Sequence, residues 1–146
     1  MNAHDIEAVR QIWAEDALER MPQGSFHGVE AIAGVLSGTI AALPDLQVEV
    51  ITLVAEGADV LVRWNISGTH TGAHYQGIAP SGRRVAIDGV DHFTIRDGKV
   101  VSCFVVFDQM QFARQLKLLP ADGSLPERMA RGVFNARCRV AARLRR

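Results

Sequence analysis

Apolar positions along this chain switch between a helical spacing and a spacing of two, and each switch marks an element. Residues 3–20 carry Ile6, Val9, Trp13 and Ala17 at helical intervals with polar residues between them, which predicts an amphipathic helix. Asn2 stands where a cap is expected, and Met21-Pro22-Gln23-Gly24 ends the pattern. A second helix is predicted over 29–43, with Val29, Ile32, Leu36, Ile40 and Leu43 on one side. Pro44 stops it, because the residue before a proline is pushed out of the helical region. From Leu46 to Ala55 the period falls to two, as Leu46, Val48 and Val50 alternate with Gln47 and Glu49. Glu56-Gly57 turns the chain into a second strand, about 59–68.

Residues 69–82 contain Gly72, Gly77, Pro80 and Gly82, a long loop for a compact domain, and ordered loops of that length are often functional. A third strand follows over 83–96, the hairpin signal Asp97-Gly98, and a nearly all-apolar fourth strand over 100–107. A helix over 109–118 closes the body, Pro120 to Pro126 breaks the chain, and a last helix is expected over 127–145. Two helices followed by four consecutive strands imply an α+β architecture with an antiparallel sheet. Curling that sheet around the helices gives a half-open cone whose open end is a pocket.

A length of 146 residues with 48% hydrophobic content suits one core, and no apolar run approaches the length of a membrane span. Met1 to Asp5 has neither the basic nor the apolar part of a secretory signal, so a cytoplasmic setting is expected. Cys103 and Cys138 form neither a disulfide framework nor a metal spacing. Net charge is zero but uneven. Of sixteen basic side chains seven lie in 121–146, against only Asp122 and Glu127 of the sixteen acidic ones. The expected division is therefore a mildly acidic body over 1–120 and a basic amphipathic helical extension over 121–146. Met129, Val133, Val140 and Leu144 lie near one face of that extension, and docking within a homodimer is expected over binding to nucleic acid or membrane.

Several ordered pieces carry a resemblance. Gly68-Thr69-His70-Thr71-Gly72 is followed by Gly77-Ile78-Ala79-Pro80-Ser81-Gly82-Arg83. Then come Asp91-His92-Phe93, the turn Asp97-Gly98-Lys99, Asp108 and Gln115-Leu116. From about His4 to Pro120 the chain resembles the SnoaL-like polyketide cyclases. That resemblance implies a nuclear-transport-factor-2-like cone and cofactor-independent acid–base chemistry, an intramolecular aldol condensation on a polyketide-like substrate. Two other functions stay open: hydration, epoxide opening or isomerisation in the same cone, and a non-catalytic ligand-binding or assembly module.

The candidate base is Asp108, which ends the run Cys103-Phe104-Val105-Val106-Phe107. Apolar neighbours raise a carboxyl pKa towards the range useful to a base. Asp108-Gln109-Met110-Gln111 also has the form of a helix capping box, and the spacing alone favours the cap. The resemblance reverses this, since an Asp at this junction is the acid/base residue it implies. A two-residue turn at Asp97-Gly98 puts Arg96 opposite Lys99. Asp91 then faces Phe104 on the side of Asp108, and His92 lies with Cys103; a single bulge exchanges the two. The resemblance implies a pocket histidine on this strand, and His92 is the candidate. Arg63, a charge in an apolar strand, is expected to pair with Asp91 or to polarise a substrate carbonyl.

His70 is read as tying down the glycine loop, and His74 and Tyr75 as rim or lid groups. Without a His-x-x-x-His helix or Cys/His cluster, no metal site and no cofactor is expected. Trp13, Trp64, Tyr75, Phe104 and Gln115 are the substrate-binding candidates. Cyclases of the family commonly have a Tyr near Trp13 and His-Trp near Cys103-Phe104, polar handles that this chain lacks.

Overall fold

A computed structural model describes residues 4–144. The elements run α1 (Ile6–Ile12), β1 (Trp13–Met21), β2 (Gly24–His27), α2 (Val29–Ala42), β3 (Gln47–Glu56) and β4 (Asp59–Thr69). They continue with β5 (Arg84–Arg96), β6 (Lys99–Phe107), α3 (Gln109–Gln115) and α4 (Leu125–Leu144). One curved sheet of six strands, in the order β2-β1-β6-β5-β4-β3, wraps the helices. The α+β cone is therefore present, with two more strands than expected.

One extra strand, β1, takes up the second half of the segment read as a helix, and the other, β2, follows the break at Met21-Pro22-Gln23-Gly24. Only Ile6–Ile12 is helical, capped by Asp5, whose side chain accepts from Ala8 N at 3.1 Å. Asn2, the expected cap, lies outside the described residues. From Trp13 the chain is extended, turns through Pro22-Gln23, and returns with Met21 opposite Gly24. Trp13 and Ala17 suit a helical stripe because a spacing of four is close to one helical turn and is also two strand repeats. Long-range pairing with β6, which is parallel, outweighs the local pattern. The sheet is thus mixed rather than antiparallel throughout.

The Asp97-Gly98 turn forms as expected, with φ of 51° and 72° and Arg96 opposite Lys99. One step later the ladder slips, so that Ile95 faces Val100 but Thr94 faces Ser102, leaving Val101 as the extra residue of a bulge. This bulge decides which residues of β5 and β6 face inward. The inner face carries Trp64, Asp91, Phe93, Cys103 and Val105, with Trp13 and Ala17 from β1 and Ile32 from α2. Trp13 meets Phe93 edge to face at 6.2 Å, an arrangement worth about 1 kcal/mol beyond area burial. A second cluster of Leu43, Leu46, Val85 and Leu116 closes the cone at the α3 end.

The glycine loop is held by backbone and side chain. Gly72 N and Ala73 N donate to Ala42 O and Ala41 O, satisfying the last carbonyls of α2. A Cβ on Gly72 would lie 1.9 Å from Ala41 O, so this close approach requires glycine. Buried His70 bonds Ala73 O through Nε2 at 3.2 Å and Ser81 Oγ through Nδ1 at 3.4 Å, the tie read from the sequence. Beyond the body, every residue of α4 from Arg128 to Arg143 is exposed, and no helix is long and apolar enough to cross a membrane among the described residues. The side chain of Leu144 lies outside that description.

Candidate active site

Between α2 and the inner face of the sheet lies a cavity of about 390 Å³. Its wall is largely apolar, with Trp13, Trp64, Phe93, Phe107, Tyr75 and Phe112 supplying the aromatic surfaces. Two carboxyl groups, Glu19 and Asp91, also face it, and among the described residues no Lys, Arg or His side chain lines it. Tyr75 packs edge-on against Phe112 at 5.5 Å, and its hydroxyl accepts from Gln23 Nε2 at 3.4 Å.

Asp91 faces inward because the Val101 bulge sets it opposite Val105, with Val62 on its other side. Its Oδ1 and the indole Nε1 of Trp64 are both buried without a hydrogen-bond partner. Burial pushes the Asp91 carboxyl up to about 6; the nearby Trp64 N–H opposes this, although it does not reach hydrogen-bond geometry. Glu19 reaches the cavity from β1, level with Cys103 on β6, while Asp91 is level with Val105. Only 9% of Glu19 is exposed, whereas Glu15, Asp16 and Arg20 on the same strand are open to solvent. Burial first, and then the charge of Asp91, push the Glu19 carboxyl up to about 7. The two interact, so their titrations belong to the pair. Burial and both carboxylates push the Cys103 thiol up as well, which keeps it protonated and unreactive. Among the described residues no group of His, Cys, Asp and Glu is arranged to hold a metal ion.

Comparison with known proteins now bears on this geometry. The model of the SnoaL-like polyketide cyclases matches residues 1–116. The chain belongs to this family. Among solved structures, it is similar to AclR, a putative hydroxylase from Streptomyces galilaeus, at 27% identity and a TM-score of 0.73, covering 99% of this chain and 86% of that one. TsrD from Streptomyces laurentii is 26% identical, with a TM-score of 0.73 over 81% of this chain and 87% of that one. IdmH, a putative polyketide cyclase from Streptomyces antibioticus, is 27% identical, with a TM-score of 0.67 over 80% and 89% respectively. A search of curated proteins gives no match.

Within this SnoaL-like chain the expected site residues divide sharply. Trp13, Trp64, Tyr75 and Asp91 line the cavity. Asp108 does not: it is exposed at the start of α3, where its Oδ1 accepts from Gln111 N at 2.9 Å. The helix cap that the spacing favoured is what forms there. His92 is also outside, because the bulge turns it to the outer face, where Nε2 meets Asp59 Oδ1 at 2.9 Å. Arg63 stands opposite Val90 on the same outer face, exposed and one residue out of step with Asp91, so the expected ion pair does not form. Phe104, opposite His92, is 54% exposed. Gln115 is structural: its side-chain amide accepts from Ala86 N at 2.7 Å and donates to Ala86 O at 2.9 Å, pinning α3 to β5 beyond the end of β6. His74 is exposed on the loop.

Glu19 is the functional candidate that sequence reasoning missed. In a helix it would fall among the polar positions; in a strand it alternates with Leu18 and Arg20 and turns inward. Pro22-Gln23 before Gly24 was the available signal, since two residues suffice for a hairpin turn.

Proposed function

We propose that this protein is a polyketide cyclase-like enzyme in which Asp91, rather than Asp108, is the general base. The observation that carries the reading is the half-buried Asp91 carboxylate on the wall of an apolar aromatic cavity, with its Oδ1 buried and free of a hydrogen bond. Burial raises its basicity, and a pKa of about 6 leaves it mostly ionised at neutral pH. It would remove a proton from a methylene group flanked by two carbonyls, whose own conjugation spreads the resulting charge. The enolate carbon then attacks a second carbonyl of the same molecule and closes a ring. Flat aromatic walls at Trp13, Trp64 and Phe93 suit a conjugated substrate held in folded form, and such holding contributes much of the rate of a ring closure.

The reading draws further support from the family and from the 27% identical IdmH, described as a putative polyketide cyclase. Hydrogen–deuterium exchange tests it directly. With benzoylacetone in heavy water, proton NMR follows loss of the central methylene signal. Asp91→Asn is expected to slow the protein-dependent exchange by about 10²-fold or more. Unchanged exchange in that variant would remove Asp91 as the base.

The partner proposed for α4 is a second copy of this chain. Met129, Val133, Phe134 and Val140 are each more than half exposed, and a subunit interface would cover them. The likeness to AclR extends over 99% of the chain and so includes this helix.

A further inference from the structure

Ring closure by an enolate leaves an alkoxide, and Asp91 has by then used its basic form. Something in the cavity has to supply a proton to that oxygen. Among the described residues no cationic side chain lines the cavity to stabilise the charge instead. Tyr75 presents a phenol hydroxyl, and phenols as a class are weaker proton donors than carboxylic acids. Thr39, Gln23 and Trp64 offer hydrogen bonds but no transferable proton of useful acidity. Cys103 is held as a thiol by burial and by the two carboxylates. Glu19 remains.

Resting on the assignment of Asp91 as base, we propose that Glu19 is the proton donor of this site, protonating the alkoxide formed when the enolate attacks a carbonyl. Three observations support it. Glu19 is nine-tenths buried and faces the same cavity as Asp91, although its neighbours in sequence are solvated. It has no hydrogen bond or ion pair among the described residues that would engage it structurally. An unpaired buried carboxyl is costly, so a packing role would be better served by an apolar side chain. Finally, Glu19 and Asp91 line one cavity and feel each other electrostatically, with no hydrogen bond between them among the described residues. Their environments hold them at about 7 and about 6, an acid and a base at the same pH.

The proton balance closes. Asp91 takes the methylene proton, and the carbon–hydrogen electron pair becomes the enolate. The enolate carbon bonds to the carbonyl carbon, whose π pair moves onto oxygen. That oxygen takes the Glu19 proton, leaving Glu19 ionised and Asp91 protonated. Return of one proton from Asp91 to Glu19 restores the starting state, and no oxidant or external acid is consumed.

Microscopic reversibility provides the test. A β-hydroxyketone that releases a fluorescent naphthaldehyde on retro-aldol cleavage requires the reverse roles, with Glu19 removing the hydroxyl proton and Asp91 protonating the enolate carbon. Glu19→Gln is expected to lower kcat for cleavage by about 10²-fold or more, and to lower the ratio of cleavage to benzoylacetone exchange by at least about 10-fold. Glu19→Asp, which keeps an ionisable group, is expected to recover part of the cleavage rate with a displaced pH profile. A purely structural role would move neither the profile nor the split between the two reactions. Equal cleavage rates in wild type and Glu19→Gln, whether both fast or both at background, would overturn the proposal. Loss of both reactions in Glu19→Gln with no recovery in Glu19→Asp would do the same. Failure of the underlying base assignment reads differently, as methylene exchange that survives Asp91→Asn.

Discussion

The indole ring of Trp64 occupies the space where Gly89, its partner across β4 and β5, has no side chain. A Cβ on that glycine would sit 2.2 Å from both Cη2 and Cζ2 of the ring. Glycine here has an ordinary strand backbone, so its value is the absence of a side chain. With the glycine in place, Trp64 can lie deep enough for its N–H to favour the Asp91 anion.

Gly89→Ala should therefore act on both stability and chemistry. The ring has to shift, and overpacking of this kind costs about 1–3 kcal/mol. Displacing the indole also removes the group that restrains the rise in the Asp91 pKa, so the pH at which exchange activity appears should move upward. Denaturant unfolding and the exchange pH profile measure the two effects; a full-stability variant with an unmoved profile would refute this account.

The acid–base pair should leave a mark on stability against pH. Asp91 and Glu19 both hold their protons more tightly folded than unfolded. Their contribution is fully present below the ordinary carboxylate range, near pH ~4, and is lost as pH rises through about 6 and about 7. Asp45, bonded by Thr69, and Glu30, bonded by Arg10, are shifted downward, so their contributions fall away only at more acid pH. Wild-type Tm should accordingly decline between pH ~5 and pH ~8. The double variant Glu19→Gln, Asp91→Asn should flatten that decline and melt higher than wild type at the alkaline end. A wild-type Tm that rises over this interval would contradict the placement of both groups.

How much of this was legible beforehand follows the range of the forces involved. Helix α2, the Asp97-Gly98 turn, strands β3 to β6 and the cap at Asp108 depend on neighbours in sequence, and their signals are local. Strand β1 is not local: Glu19 turns inward only because β6, more than eighty residues away in sequence, pairs with it. The Val101 bulge is likewise invisible in composition, yet one residue of slip exchanged His92 and Asp91 between the two faces. The alternation rule showed that one of the pair must face inward; only the register could say which.

Residues on the outer face and at the α3 cap should separate stability from activity. Asp108→Ala should cost about 1 kcal/mol through the lost cap, with Asp108→Asn close to wild type because Asn also caps. His92→Gln removes only a contact whose partners are each about half exposed, and should be nearly neutral. Per folded molecule, all three should exchange benzoylacetone at the wild-type rate. A large activity loss in Asp108→Asn, without loss of stability, would return Asp108 to the chemistry and displace Asp91.

The basic helix gives the last prediction. Its apolar side chains cluster at Met129, Val133 and Phe134, and its arginines at Arg128, Arg131, Arg137, Arg139 and Arg143 lend it a charge opposite to that of the body. Contact with the acidic body of a second copy would cover the apolar surface and bring unlike charges together. Deleting residues 121–146 should then lower the mass per particle measured by light scattering, while the far-ultraviolet signature of the sheet persists. Phe134→Asp, which keeps the helix but charges the centre of its apolar face, should give the same fall in mass. If the truncated and full-length chains form particles with the same number of subunits, α4 has no part in assembly, and its exposed face must be accounted for by a different partner.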